Sequence, residues 1–205
     1  DVRQLKEVKN LDLFQTFIKL CAGRSGQLLN VTYLGNDCGI SDVTARQWIN
    51  ILRASYLVFL LQPYHTNFNK RLTKSPKLYF YDTGLLSHLL GGISAKAMTS
   101  HYLKGHIFET LIIADIQKQF YNLGKRPATY FWRDRSKYEI DCIIDMPDKP
   151  IGYGMTPVEI KSSRTITSAF FEGLTYWNDL AGRGKNHSYV VYAGDEAQKR
   201  SAGLA

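Results

Sequence analysis

The sequence predicts an α/β chain, α+β overall, with a mostly helical first half closed by two strands and a second half of order α-β-β-β-α-β. Three observations carry this. Apolar residues recur at helical spacing in residues 1–22, 41–54 and 102–121. Period-two runs of β-branched residues bounded by turn residues occur at Glu139–Asp145 and Pro157–Lys161. Short apolar or aromatic runs at residues 56–61, 77–81, 128–133 and 188–192 have strand length.

At 205 residues, 44% hydrophobic and 13% aromatic, the chain can bury a core and is not of disordered composition. No apolar run approaches the ~18 residues that cross a bilayer, and no signal peptide opens the chain. The expectation is a cytoplasmic protein with no membrane partner. Asp1-Val2-Arg3-Gln4-Leu5 reads as the middle of a helix, so a fragment of a longer protein is expected. Cys21, Cys38 and Cys142 are odd in number and far apart, which fits reduced thiols rather than zinc or a disulfide. His101 and His106 lack a cysteine or acidic partner at ligand spacing and read as structural.

The net charge is +8. Residues 1–100 hold 12 Lys and Arg against 6 Asp and Glu, while residues 101–205 hold 14 against 12. The excess sits in the first half and favours a polyanion there.

In order, residues 1–22 read as an amphipathic helix ended by Gly23–Gly26, and residues 27–38 as a short second helix closed by Gly39. Ser41 reads as an N-cap, with Asp42 in the first turn of a helix that runs to Ala54. Its stripe of Ala45, Trp48, Ile49 and Leu52 faces the core and leaves Arg46, Gln47, Asn50 and Arg53 outside. Strands at 56–61 and 77–81 flank a basic connection containing Asn67, Asn69, Lys70, Arg71 and Lys74. This order is that of a winged helix-turn-helix. The DNA-binding reading puts Arg46, Gln47 and Asn50 in a groove, with Arg53 beside them, and Lys70, Arg71 and Lys74 on phosphates. A packing module with a solvated charged face is the alternative.

A short helix after Tyr81-Asp82-Thr83-Gly84 ends at Gly91-Gly92. The small-residue stretch 91–100 marks a boundary between domains 1–92 and 93–205. The apolar helix 102–121 carries Glu109, which should meet a cation, a hydrogen-bond donor or a metal-bound water, unless it lies on an exposed strip. Residues 128–133 and 139–145 form a hairpin across Asp134–Lys137, and a Gly/Pro loop leads to the strand ending at Lys161. A helix at 167–180, with Phe170, Phe171, Leu174 and Trp177 as its stripe, crosses to a strand at 188–192. Residues 195–205 are expected to fray.

In the Glu139–Asp145 strand, alternation sends Ile140, Cys142 and Ile144 one way and Glu139 and Asp141 the other. If that strand pairs with the next, Asp141, Glu159 and Lys161 share a face. Two carboxylates and a lysine so arranged can hold a divalent cation and steady a developing negative charge. An ion-pair network without chemistry is the alternative.

These residues resemble the PD-(D/E)XK nuclease superfamily. The pattern is carried by Glu109 in Gly105-His106-Ile107-Phe108-Glu109, Asp141 in Glu139-Ile140-Asp141, and Glu159-Ile160-Lys161. Ile140 stands where the superfamily often has proline. More narrowly, the chain looks like the C-terminal region of prokaryotic AAA-type ATP-binding proteins, a winged helix followed by a nuclease-like domain of unknown function. Asp1–Leu5, Leu78–Gly84, Phe108-Glu109 and Glu159–Lys161 carry that likeness. It implies a PD-(D/E)XK restriction-endonuclease-like fold in the second domain and an ATPase domain of the same chain before Asp1. The sequence has no G-x-x-x-x-G-K-[ST], and Gly182–Asn186 lacks its spacing, so no ATP site is expected here.

The resemblance further implies Mg²⁺ or Mn²⁺ held by Asp141, Glu159 and the Ile160 carbonyl, with Glu109 direct or through water. Lys161 would position the attacking water or stabilise a pentavalent phosphate, and Ser162 and Ser163 would reach phosphate oxygens. The substrate implied is DNA, with RNA as another possibility. A catalytically silent DNA- or protein-binding regulatory module of the ATPase is the competing expectation.

Overall fold

The computed structural model describes residues 10–64, 74–134, 138–146, 154–182, 188–200 and 203–204. They form a mixed α/β structure of seven α-helices, one 3-10 turn and nine strands in parallel and antiparallel pairing. Two compact units emerge: residues 1–60 with 75–114, and residues 61–74 with 115–205.

The first unit opens with α1 (Leu11–Ala22), where the Asn10 side chain accepts from the Leu13 N–H and Gly23 caps the far end. Residues 27–38 depart from the helical expectation. Gln27–Leu28 is a strand, β1, and helix α2 spans only Val31–Cys38. The cause is local: Asn30 takes the Tyr33 N–H as a cap, and the Gly26 N–H donates to Leu78 O at 2.7 Å, pulling the chain into strand pairing first. Helix α3 (Asp42–Ala54) follows its Ser41 cap, and its buried face is Ala45, Trp48, Ile49, Ile51 and Leu52. Phe14 and Phe17 of α1 meet Trp48 edge-on, with ring centroids 5.2 and 5.4 Å away. That edge-to-face geometry is the one aromatic quadrupoles favour.

Strand β2 (Val58–Pro63) begins in this unit. Strand β3 (Lys77–Phe80) lies between β1 and β2, with Gln27 opposite Leu78. Asp82 caps α4 (Thr83–Leu89), Ser94 caps α5 (Ala95–Met98), and α6 (Lys104–Asn122) follows.

The helix ends hold one irregularity. Helix α2 closes with Gly39 N–H donating to Asn36 O and Ile40 N–H to Gly35 O, and α6 closes the same way at Gly124 and Lys125, onto Tyr121 O and Phe120 O. Both glycines have left-handed φ, 70° and 67°. Helix α3 closes with the same pair of bonds, Tyr56 N–H to Arg53 O at 3.1 Å and Leu57 N–H to Leu52 O at 3.0 Å. Here the left-handed residue is Tyr56, φ 55°, the only non-glycine with positive φ among the described residues. A Cβ in that conformation costs roughly 1–2 kcal/mol.

The second unit holds the end of β2, then β4 (Thr129–Arg133), β5 (Glu139–Asp145), β6 (Met155–Lys161), β7 (Tyr189–Tyr192), β8 (Lys199–Arg200) and β9 (Gly203–Leu204). Their order is β2-β4-β5-β6-β7-β9-β8. Strand β5 is antiparallel to β4 and β6, whereas β7 is parallel to β6, reached through a 3-10 turn (Ser168–Phe171) and α7 (Glu172–Leu180). Pro157 sits within β6, where β7 pairing begins only at Val158, so its missing N–H costs that ladder nothing. Trp132, Ile140, Ile143 and Val190 pack with Phe171, Leu174 and Trp177 as the core of this unit.

Two further expectations fail in this unit. Residues 195–205 are not a frayed tail where described, since β9 adds in parallel to β7 and the Leu204 N–H donates to Ser188 O at 3.0 Å. A Cβ on Gly203 would stand 2.7 Å from that oxygen, so glycine is what lets the end of the chain approach. Simple alternation along β5 also breaks. Tyr130 opposes Ile143 and Trp132 opposes Ile140, so two steps on β4 match three on β5. Asp141 and Cys142 together face Phe131 in a β-bulge. That extra residue returns Ile140 and Ile143 to the same core.

Candidate functional site

The bulge positions the candidate site. Between β5 and β6 the ladder runs from Asp145 opposite Met155 to Cys142 opposite Val158. Just past it, Asp141 Oδ2 accepts the Ile160 N–H at 2.8 Å. A carboxylate thus satisfies a backbone donor of the neighbouring strand, which pins Asp141, itself only 9% exposed, beside the Glu159-Ile160-Lys161 end of β6.

The Glu159 side chain is 12% exposed. Its Oε1 accepts from Lys161 Nζ at 2.5 Å, while Oε2 is buried with no hydrogen-bond donor. Burial pushes the Glu159 carboxyl up, the Asp141 charge pushes it further, and Glu139 adds a little. The Lys161 ammonium and its hydrogen bond pull the other way and are outweighed, leaving the group raised to about 8. Near neutral pH this carboxyl therefore favours its protonated form. Lys161, with 35% of its side chain exposed, stands at the solvent side.

The three strand residues therefore come together in the second unit. Glu109 belongs to the first. Its Oε1 accepts from Lys77 Nζ at 3.0 Å and from Tyr79 OH at 2.5 Å, so it meets both the cation and the donor that a buried carboxylate needs. Sequence reasoning missed Lys77 and Tyr79 as its partners. The available signal was a lysine heading an otherwise apolar strand, where a buried cation demands an acid. Of the two serines after Lys161, Ser163 is engaged locally: its Oγ donates to Thr165 O at 3.0 Å and accepts the Thr165 N–H at 3.2 Å.

On α3, Arg46, Gln47, Asn50 and Arg53 are all exposed, and Arg53 Nη1 donates to Asn50 Oδ1 at 3.4 Å. Lys74 is exposed, while Lys70 and Arg71 lie outside the described residues. Cys21, Cys38 and Cys142 are buried and form no disulfide, and burial pushes Cys21 up to about 12. Among the described residues, no three His, Cys, Asp or Glu side chains gather into a metal cluster. The donor set on β5 and β6 is two carboxylates, so a hard cation would complete its shell from backbone oxygen and water. No described helix is long and apolar enough to cross a membrane.

Residues 1–96 match the family model described as domain of unknown function DUF8612, and residues 104–205 match domain of unknown function DUF4143. The chain is similar to Uncharacterized protein Rv2008c of Mycobacterium tuberculosis and to Uncharacterized protein Mb2031c of Mycobacterium bovis. Each is 29% identical over 148 residues, covering 72% of this chain and 33% of the relative. No solved structure matches. In succession, then, the chain is similar to two domains of unknown function, and it spans about a third of the length of the curated relatives it matches.

Proposed function

We propose that this chain is the C-terminal part of an AAA-type ATP-binding protein, with a winged helix followed by a PD-(D/E)XK-type, metal-dependent site acting on DNA phosphodiesters. One observation carries the reading: a buried Glu159 oxygen without a donor, beside Asp141 and followed by Lys161. The order α-β-α-α-β-β of the first elements, with β1 on β3, supports the winged helix. The α-β-β-β-α-β order from α6 to β7 supports the nuclease-like domain.

The residues present fit a divalent cation, because an orphaned buried oxygen and a second carboxylate form an oxygen-rich donor set. Asp141, Glu159 and the Ile160 carbonyl would hold Mg²⁺ or Mn²⁺, which when bound supplies Lewis acidity toward phosphate and lowers the pKa of water. The Ile160 N–H holds one Asp141 oxygen in place, and the β5–β6 pairing holds the two carboxylates together. Lys161 offers a positive charge for the phosphate at the open side. Glu109 is left out of this donor set, since Lys77 and Tyr79 already occupy its Oε1.

A silent DNA- or protein-binding regulatory module is the second reading, favoured by the Lys161 ammonium that already closes on Glu159. The test is cleavage of supercoiled DNA with Mn²⁺ together with thermal unfolding with and without Mn²⁺. The wild type should nick DNA and gain thermal stability with Mn²⁺. Lys161→Ala should lose cleavage while keeping DNA affinity within about threefold, since one phosphate contact is a small share of the electrostatic term. Asp141→Asn should lose both the cleavage and the Mn²⁺ effect. No Mn²⁺ effect and no cleavage by the wild type would replace the nuclease reading with the silent module.

A further inference from the structure

The end of α3 carries a residue that the fold itself does not call for. The bonds that close α3 at Tyr56 are those that close α2 at Gly39 and α6 at Gly124, and glycine adopts the left-handed turn without strain. Burial does not account for tyrosine there, since Tyr56 is 71% exposed. A strained backbone position bearing a large exposed ring points to use of the ring.

The ring is well supported on its inner side. Its centroid lies 6.2 Å from that of Tyr81, at a 48° tilt. Tyr81 lies 4.7 Å from Phe59, and Phe59 stacks on Tyr79 at 5.5 Å and 18°. Tyr79 is fully buried and donates its hydroxyl to Glu109. A file of four rings therefore runs from the core of the first unit to an aromatic face in solvent. Such a face binds flat π-systems with little ordering to be lost.

The surroundings select among flat ligands. Arg53, whose carbonyl accepts the Tyr56 N–H, is exposed and held toward Asn50 on the polar face that includes Arg46 and Gln47. Cationic and amide side chains next to an open ring suit a base attached to a phosphate backbone. We infer that Tyr56, backed by Tyr81, is a stacking residue for an unpaired nucleobase, with Arg53 on the adjoining phosphate. The inference rests on the reading that the first unit binds nucleic acid, and it adds a preference for single-stranded or locally opened segments.

The test is fluorescence anisotropy of labelled oligothymidylate and of a labelled duplex, with the wild type, Tyr56→Gly and Tyr56→Phe. Tyr56→Gly should bind oligothymidylate about tenfold more weakly and lose less than about twofold on the duplex, while Tyr56→Phe stays within about twofold on both. Thermal unfolding of Tyr56→Gly at or above the wild-type midpoint shows that the fold survives. Undiminished oligothymidylate binding by Tyr56→Gly would overturn the inference, and so would equal weakening on both probes, which marks general electrostatics. A wild type that binds neither probe also overturns it. The metal-site reading then still stands or falls on its own Mn²⁺ unfolding shift.

Discussion

Two largely buried glutamate side chains, one in each unit, are paired with lysine and differ in the donors around them. In the first unit one oxygen of Glu109 receives both Lys77 and Tyr79. In the second, Lys161 reaches one oxygen of Glu159, the other has no donor, and Asp141 adds a second negative charge nearby. Supplying a buried carboxylate with a cation and a hydroxyl makes it a structural tie. Placing it short of donors and beside a like charge raises its proton affinity and, on the proposed reading, leaves it open to a metal. The residue types are nearly the same, and the donors supplied by the fold separate the two settings.

The largest effect expected from breaking this contrast is at Glu109. Glu109→Gln withdraws a negative charge from a buried lysine whose side chain is 5% exposed. Loss of about 3 kcal/mol of stability is expected by urea unfolding, with the Mn²⁺ response of the second unit unchanged. A loss of Mn²⁺ response in that variant would instead return Glu109 to the metal site.

Glu159→Gln should act the other way, and only with pH. The folded carboxyl, at about 8, lies above its ordinary value of 4.5. Its proton-linked stabilisation is fully present below pH 4.5 and is lost as pH rises through 8. Glutamine carries no such proton, so the variant should gain on the wild type steadily across that window, with no further gain above it. Parallel stability curves for the two proteins between those limits would refute the raised carboxyl.

The smallest effect is at the end of α3. Tyr56→Gly should stabilise the protein by about 1 kcal/mol, read as a raised unfolding midpoint, because glycine relieves the left-handed strain. A loss of stability would mean that the ring contributes packing its exposure does not suggest.

Much of this was legible in the chain. The Ser41 cap, the buried stripe of α3 and the limits of β5 follow from local rules, in which a capping oxygen, a 3.6-residue stripe and a β-branched run each act over a few neighbours. The grouping of Asp141, Glu159 and Lys161 was readable too, because adjacent strands of matching alternation pair readily. What was not readable depended on partners distant in sequence. Strand β1 exists because Gly26–Leu28 finds β3 some fifty residues on, and β9 because Gly203–Leu204 finds β7. The bulge at Asp141–Cys142 follows from the register β4 imposes, which no period-two pattern contains.

The sequence by itself therefore determined most of the helices, the Ser41 cap, most strands and the chemical identity of the site residues, since these depend on side-chain type and spacing within a few residues. Tertiary structure alone decided that Lys77 and Tyr79 meet Glu109 while one Glu159 oxygen is buried without a donor, because that depends on which groups other strands bring. It also decided that a tyrosine stands where two sister helices end in glycine, with its ring backed by Tyr81, since φ and exposure are set only once the chain has folded.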